Sequence, residues 1–505
     1  MKVALVHEYL NQLGGAERVL QNFLEIWPEA TVHLLLYDKE NTHGEFEFAQ
    51  KRVSIINSLP FAHQHHRLFV ILMSKAIENF DFSEFDVVLS DASSFAKGVK
   101  TDKLHICYCH APTRYLWTVP EYLDNQKYPL LLKFFGRKYL RWLKKWDYRA
   151  AQRPNFYIAN SKNIQNQIKE YYNRDSIVIF PPVDADKFFP DGEKQNYFFT
   201  VSRLEPVKKI HLIIEAFNQM GLSLKIAGTG SIEGQLKALA KPNIEFVGRV
   251  SDERLRRYYS EAKAFVFAAE EDAGIALLEA QACGTPVLAY GKGGALEAVL
   301  GGVTGEFFDE QNAESLKQVL KRFDSGKYNP VTIRQHAQKF DKKIFKKKIK
   351  SFVEEKHKTI DQRIFSKRNF HGVKGIIFID DKMLVYRRDN KTDNFPLQID
   401  LPGGGKEADE TPFETFQRES KEEFGVQIEK SDISYAKQYM SAMDPTKESY
   451  FFVTRPLNVD RKDIIFGNEG LEFLLVKPEE YLKFGDAIKR HQDKVKEYFN
   501  SLEKA

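Results

Sequence analysis

The chain has 505 residues, 43% hydrophobic and 29% charged, with a formal net charge of +5. That length exceeds one ordinary domain and asks for about two to four, and so small a net charge excludes a nucleic-acid binder over the whole surface. Cys107, Cys109 and Cys283 give no disulfide framework, no run approaches the ~18 apolar residues of a membrane span, and residues 1–7 are too brief for a signal peptide, so a cytosolic protein is expected.

Residues 3–6 predict a buried strand, and the turn Leu13-Gly14-Gly15-Ala16-Glu17 leads into a helix carrying Val19, Leu20, Phe23 and Leu24. Paired glycines at such a junction let a ligand approach the backbone, although a tight turn uses them for geometry alone. Further strands are predicted over 31–36, 87–90 and 104–108. Cys107 and Cys109 alternate along the last and share a face. It runs into His110-Ala-Pro-Thr-Arg-Tyr-Leu-Trp117. A histidine just past a strand end can donate to a hydroxyl or phosphate, or it can simply cap the element. Over 129–149, Leu132, Phe135, Tyr139, Trp142 and Trp146 recur at helical spacing with cations between them. Such a helix either lies on anionic lipid or packs its apolar face inward.

A strand over 156–159 gives the helix-capping pair Asn160-Ser161, and 177–180 leads into Pro181-Pro-Val-Asp184, a hinge-like segment. After a strand over 198–201, Arg203 and Lys208 stand on a loop before the helix 210–217, where charge-assisted bonds could clamp a diphosphate. Strands over 224–227 and 244–247 precede Gly228-Thr-Gly230 and Gly248-Arg249-Val250. The apolar run 264–269 predicts a buried strand. Gly274 then opens a short helix that Gly284 stops in the left-handed conformation, and 287–290 is the next strand. This is βαβ grammar. The helix start offers free N–H groups and a positive dipole end to a phosphate. Glu271 stands beside that tip and Glu279 about two turns further on, and carboxylates accept hydrogen bonds from sugar hydroxyls. Two glutamates at this spacing are equally compatible with surface charge. Helices are predicted over 313–323 and 334–350, with Phe345, Ile349, Phe352 and Val353 as a buried stripe.

Glu271-x7-Glu279, followed by Ala280-Gln-Ala-Cys-Gly-Thr-Pro286 and Gly291-Lys-Gly-Gly-Ala-Leu-Glu297, resembles the signature of retaining glycosyltransferases of family 4. The His110-Ala-Pro run and Arg203-Leu-x-Pro-x-Lys208 extend the likeness, which is greatest to the branch of O-antigen mannosyltransferases using GDP-mannose. The resemblance implies an α/β chain with the GT-B fold of two Rossmann-like domains: 1–185 for the acceptor and 186–345 for the nucleotide sugar. It places Gly14 and Gly15 near the donor phosphates, His110 beside the transferred sugar and Arg114 toward the acceptor. Arg203 and Lys208, rather than Lys209, clamp the pyrophosphate. Gly274, Ile275 and Ala276 face the donor, Arg249 lies near the base, Glu271 holds the sugar and Glu279 the ribose. No metal is required for transfer. The implied acceptor is a saccharide or lipid-linked glycan, which favours peripheral membrane contact through 129–149. A UDP-sugar is the alternative donor, and no nucleic acid is a partner.

Residues 346–368 read as crossover helix and linker, and 369–505 as a third domain. Strands are predicted over 373–379, 383–387 and 450–454, and a helix over 412–424. On that helix Glu419, Glu422 and Glu423 share one face, as hard oxygen ligands for Mg²⁺ bridging to a diphosphate would. The pattern Gly404-x5-Glu410-x7-Arg418-Glu419-x2-Glu422-Glu423-x-Gly425 resembles the Nudix box. It implies an α+β Nudix domain (an α/β/α sandwich) that hydrolyses a nucleoside diphosphate derivative with Mg²⁺, by attack at phosphorus. Ser420 stands where an aliphatic residue is usual and is expected to loosen packing behind the helix. Glu469 and Glu472 are candidate general bases. An inactive domain used for docking or oligomerisation is the alternative.

Overall fold

The computed structural model describes residues 1–63, 69–101, 103–118, 130–359, 362–391, 394–444, 446–468 and 470–503. Buried strands alternating with helices build two all-parallel sheets. The first holds β1 (Val3–Leu10), β2 (Thr31–Tyr37), β3 (Lys51–Val53), β4 (Val87–Ala92), β5 (Leu104–Cys109), β6 (Phe156–Ala159) and β7 (Ile177–Val178), in spatial order β3-β2-β1-β4-β5-β6-β7. The second holds β8 (Phe198–Val201), β9 (Leu224–Ala227), β10 (Ile244–Gly248), β11 (Phe265–Phe267), β12 (Val287–Tyr290) and β13 (Gly305–Phe308), in order β10-β9-β8-β11-β12-β13. Strand order reverses between β1 and β4 and between β8 and β11. Open α/β sheets form their ligand crevices at the carboxyl ends of such strands.

β1 and β4 outrun the apolar stretches that predicted them. His7, Glu8 and Asp91 continue these strands as buried polar residues with partners, so hydropathy ends where the backbone ladder does not. Cys107 and Cys109 are both buried in one core, as their alternation requires. The single helix predicted over 334–350 is two, Pro330–Gln338 and Lys342–Thr359. The break occurs because Val183, in the interdomain segment, bonds through its N–H to Phe340 O (3.0 Å) and through its carbonyl to Lys342 N (2.9 Å). The second helix crosses back onto the first domain. Its Phe345 stacks on Phe23 with ring centroids 5.9 Å apart and meets Tyr108 edge-on, and Ile349 and Val353 are buried with it.

The third sheet is mixed: β14 (Gly372–Ile379), β15 (Lys382–Arg388), β16 (Ile399–Asp400), β17 (Ile433–Met440), β18 (Glu448–Thr454) and β19 (Gly470–Val476). Its order is β16-β15-β14-β18-β17, with β19 also paired to β15. Helix Pro412–Phe424 covers one face, Phe416 stacking on Phe452 at 4.7 Å. Helix Lys489–Glu503 covers the other through Val495 and Tyr498. One apolar cluster runs from Phe23 and Tyr108 through Phe345, Ile349, Val353 and Ile364 into Phe370, Phe413 and Phe416, so the first and third domains share a core. Asn155 donating to Lys430 O (3.2 Å) and Arg455 lying over the Phe156 ring (4.9 Å) close the same contact. No described helix is long and apolar enough to cross a membrane.

Candidate active sites

The carboxyl ends of the first two sheets face one another. Between them lies a cleft of about 1210 Å³, lined by Gln12, Arg18, Arg203, Gly230, Arg249 and Glu279 among others. Arg203 follows β8, and its Nη1 donates to Gln12 Oε1 of the first domain (2.9 Å). Its loop is positioned by the turn after β9. Gly228 has φ +115°, and a Cβ there would fall 1.9 Å from Ser202 O, so only glycine fits. Lys209 turns left-handed to start the helix Ile210–Met220, while Lys208 pairs with Glu271. The Gly14-Gly15 turn opens the helix Gly15–Ile26. A Cβ on Gly15 would lie 3.2 Å from Ile275 Cδ1, so this turn meets the helix that Gly274 opens across the cleft, with Ala276 in its first turn. Gly274 and Gly284 both have positive φ, at 66° and 72°.

Glu279 is buried and fully engaged. Arg18 of the first domain binds Oε1, and the Tyr259 hydroxyl donates to Oε2 (3.0 Å). Burial pushes this carboxyl above the usual range, against the pull of Arg18. His110, Lys208 and Glu271 do not line the large cavity. Arg114, bound to Asp272, links the His110 loop to the Glu271 loop. That loop is anchored from behind. Buried Asp147 accepts from Thr113 Oγ1 (2.6 Å), Trp117 Nε1 (2.8 Å), Tyr172 Oη (2.8 Å) and Lys97 Nζ (2.6 Å). Glu297 accepts from the backbone N–H groups of Lys162 (2.8 Å) and Asn163 (3.1 Å), a further bond between the lobes. His110 Nε2 lies 2.5 Å from Asp91 Oδ1, and His7 Nδ1 lies 2.8 Å from Asp91 Oδ2. Sequence reasoning missed His7, Asp91, Arg18 and Tyr259. The available signal was polar residues inside buried strands, His7 and Glu8 in β1 and Asp91 in β4.

In the third domain, Thr411 and Glu414 form a capping box and Gly425 caps the helix end at φ 67°. Arg418 ties the acidic set together. Its Nε donates to Glu410 (2.8 Å), its Nη1 lies 2.9 Å from Glu422 and 3.0 Å from Glu419, and its Nη2 donates to Gly405 O (2.9 Å). Glu423 accepts from Gly403 N–H (3.0 Å). Burial first, then neighbouring Glu419, pushes Glu423 up to about 8, against Lys374. A buried carboxylate that resists ionisation beside a second one is matched to a hard cation, so the donor set fits Mg²⁺ in chemistry. Among the described residues no three such groups converge on one point, since Arg418 reaches among them. Ser420 is fully buried and donates to Phe416 O (2.6 Å), so its hydroxyl is satisfied within the helix. Glu472 pairs with Arg387 (3.2 Å); Glu469 lies outside the described residues. A Cβ on Gly404 would sit 2.4–2.6 Å from the Glu419 carboxylate. Gly404→Ala is therefore expected to displace the Glu419 carboxylate with little loss of stability and to shrink the rise in Tm on adding Mg²⁺, measured by thermal unfolding with and without the ion.

Two parallel-sheet lobes with facing carboxyl ends, followed by a mixed-sheet lobe bearing an acidic helix, define a GT-B transferase joined to a Nudix-type domain. Family models agree: Glycosyltransferase Family 4 matches residues 13–187, Glycosyl transferases group 1 matches 184–342, and the NUDIX domain matches 370–498. Residues 13–342 thus form a glycosyltransferase unit of the family 4 type, fused to a Nudix domain. It is similar to an uncharacterized glycosyltransferase of Methanocaldococcus jannaschii, 22% identical over 68% of this chain and 94% of that one. It is also similar to the O-antigen chain mannosyltransferase RfbU of Salmonella typhimurium, 29% identical over 31% of this chain but only 46% of RfbU. The crystal structure of Anabaena HepE in complex with UDP and glucose shares the fold, with TM-score 0.54 and 19% identity over 70% of this chain and 99% of HepE.

Proposed function

We propose that the chain is bifunctional, dividing at residues 185, 345 and 368. The transferase half moves a hexose, mannose from GDP-mannose, to a saccharide or lipid-linked glycan with retention. The observation that carries this is the meeting of Arg203, Lys208, Glu271 and the Gly274 helix tip with the Gly14-Gly15 turn and the His110 loop at the facing ends of two sheets. Arg203 and Lys208 neutralise charge on the leaving diphosphate, the largest electrostatic contribution the site offers. With the donor bound, Lys208 turns from Glu271 to phosphate, freeing Glu271 for the sugar hydroxyls. His110 lies at the reacting face, and the acceptor attacks from the side the diphosphate leaves. Glu279 holds the ribose when Arg18 gives way. A panel of nucleotide sugars, assayed for transfer and for hydrolysis with and without Mg²⁺, tests the reading. GDP-mannose is expected to lead in transfer without metal, and preference for a UDP-sugar would overturn the donor assignment.

In the Nudix half, Glu419, Glu422 and Glu423 would hold Mg²⁺, which supplies charge neutralisation on a substrate diphosphate. Arg418 keeps the carboxylates together and Gly404 leaves room for Glu419. Hydrolysis there removes a transfer product or limits the donor. The position of Arg418 among three carboxylates favours the second reading, an inactive docking module.

Helix Leu130–Ala151 turns Tyr139, Leu143, Trp146 and Asp147 inward and leaves Arg141, Trp142, Lys144, Lys145, Tyr148 and Arg149 outside. Trp142 is 47% exposed, so of the described part of the apolar stripe it alone faces solvent. Cations interleaved with exposed rings suit an anionic bilayer, at about 1 kcal/mol per basic residue. The protein is expected to co-sediment with anionic liposomes at low salt. Arg141→Glu with Lys145→Glu should weaken binding at least about 30-fold.

A further inference from the structure

Tyr259 is fully buried on the helix Asp252–Glu261, and its hydroxyl donates to Oε2 of Glu279 on the neighbouring helix Ile275–Ala282 (3.0 Å). Its ring is set between Phe199, Phe265 and Phe188, each met edge-on with centroids 5.3, 5.2 and 6.0 Å away. The Thr285 hydroxyl donates to its backbone carbonyl (2.5 Å), so ring and backbone are both fixed. Phenylalanine would make the same ring contacts. Packing therefore does not account for the hydroxyl, and its bond to Glu279 does. The two groups that hold Glu279 differ in where they come from. Arg18 reaches Oε1 from the first lobe, whereas Tyr259 shares the core of the second lobe with Leu278 and Ala280, the residues on either side of Glu279. A movement that parts the lobes takes Arg18 from Oε1 but carries Tyr259 along with Oε2. Glu279 lines the interdomain cavity and is itself 4% exposed. The last torsion of a glutamate is broad, so without a fixed partner this carboxylate would rotate. With Oε2 anchored, Oε1 and the second lone pair of Oε2 keep a set direction toward the cavity.

We propose that Tyr259 is a positioning residue that fixes the Glu279 carboxylate to accept both hydroxyls of a ribose, and so makes the nucleotide lobe select ribonucleotides over their deoxy forms. This rests on the reading of Glu279 as the group that holds the ribose. A vicinal diol offers two donors at a fixed spacing, and a carboxylate matches them only when both of its oxygens are in place. Tyr259 touches neither nucleotide nor sugar and acts through Glu279 alone.

The test uses the full chain without Mg²⁺, which keeps metal-dependent binding by the Nudix lobe out of the measurement. Calorimetry compares GDP and UDP, each beside its 2′-deoxy and 3′-deoxy forms. For the base that binds, the parent should hold the ribonucleotide at least about 10-fold more tightly than either deoxy form, the effect of a hydrogen bond to a charged group. In Tyr259→Phe the ribonucleotide should weaken by about 10-fold and the deoxy forms by less than about 3-fold, so that the preference collapses. A hydroxyl with a merely structural role would weaken all three alike. Arg18→Ala should keep the parent's preference, because Tyr259 still anchors Oε2. The parent's preference retained in Tyr259→Phe would overturn the proposal. Its loss in Arg18→Ala would do the same, and decides the matter even if Tyr259→Phe failed to fold. Loss in Glu279→Gln but not in Tyr259→Phe would remove Tyr259 and leave the ribose reading standing. A parent indifferent to the ribose hydroxyls would overturn that reading and the proposal with it.

Discussion

Replacing Glu271 by alanine is expected to lower glycosyl transfer by about 10²-fold or more, with the loss in kcat. Hydrogen bonds to a charged group are worth about 1.5–3 kcal/mol each, and each 1.36 kcal/mol is about tenfold in rate. In the structure this carboxylate is the partner of Lys208. Its removal frees the lysine for phosphate, so donor KM should hold or fall while the sugar loses its orientation. Glu271→Gln, which keeps one acceptor oxygen, should fall between the two. Hydrolysis by the Nudix domain is the internal control and should not change. Full transfer by Glu271→Ala would remove this residue from the mechanism.

Glu423→Gln should reduce metal-dependent hydrolysis by about 10²-fold or more, since the metal's electrostatic contribution is several kcal/mol, with transfer untouched. Its effect on stability should run the other way. A carboxyl that burial raises to about 8 is destabilising when ionised. In folded protein it stays protonated between its ordinary value and about 8, while the unfolded chain ionises. Its contribution to stability therefore falls as pH rises through that window. Glutamine is isosteric and cannot ionise, so without Mg²⁺ the variant should melt no lower than the parent at pH 7.5, and added Mg²⁺ should no longer raise its Tm. Hydrolysis undiminished in Glu423→Gln would remove this carboxylate from the metal site, and a parent chain without metal-dependent hydrolysis would support the docking reading.

Much of this architecture was legible because local signals agreed. The strands Phe156–Ala159, Phe198–Val201, Leu224–Ala227 and Val287–Tyr290 and the helix Pro412–Phe424 lie where apolar runs and caps predicted them. Where polar residues were buried, the signal failed. His7, Glu8 and Asp91 read as strand ends, although their partners stand on other strands or their flanking loops and only folding brings them together. The break at Asp341 was hidden for the same reason, since Val183, from a distant part of the sequence, draws it out of the helix. Spacing suggested the cleft residues one at a time. It carried no information about Arg18 on Glu279 or Arg114 on Asp272, which are contacts between lobes.

The shared core of the first and third domains makes the Nudix lobe a passenger of the acceptor lobe. If the nucleotide lobe swings to admit a donor, it pivots against both together, with the bend near Val183 and Asp341 where the chain crosses. Severing the polypeptide after Phe365 would not liberate two tidy enzymes. It would bare the seam around Phe365 and Phe156, which meet Phe413 and Arg455 of the Nudix lobe, leaving a sticky fragment on the transferase side.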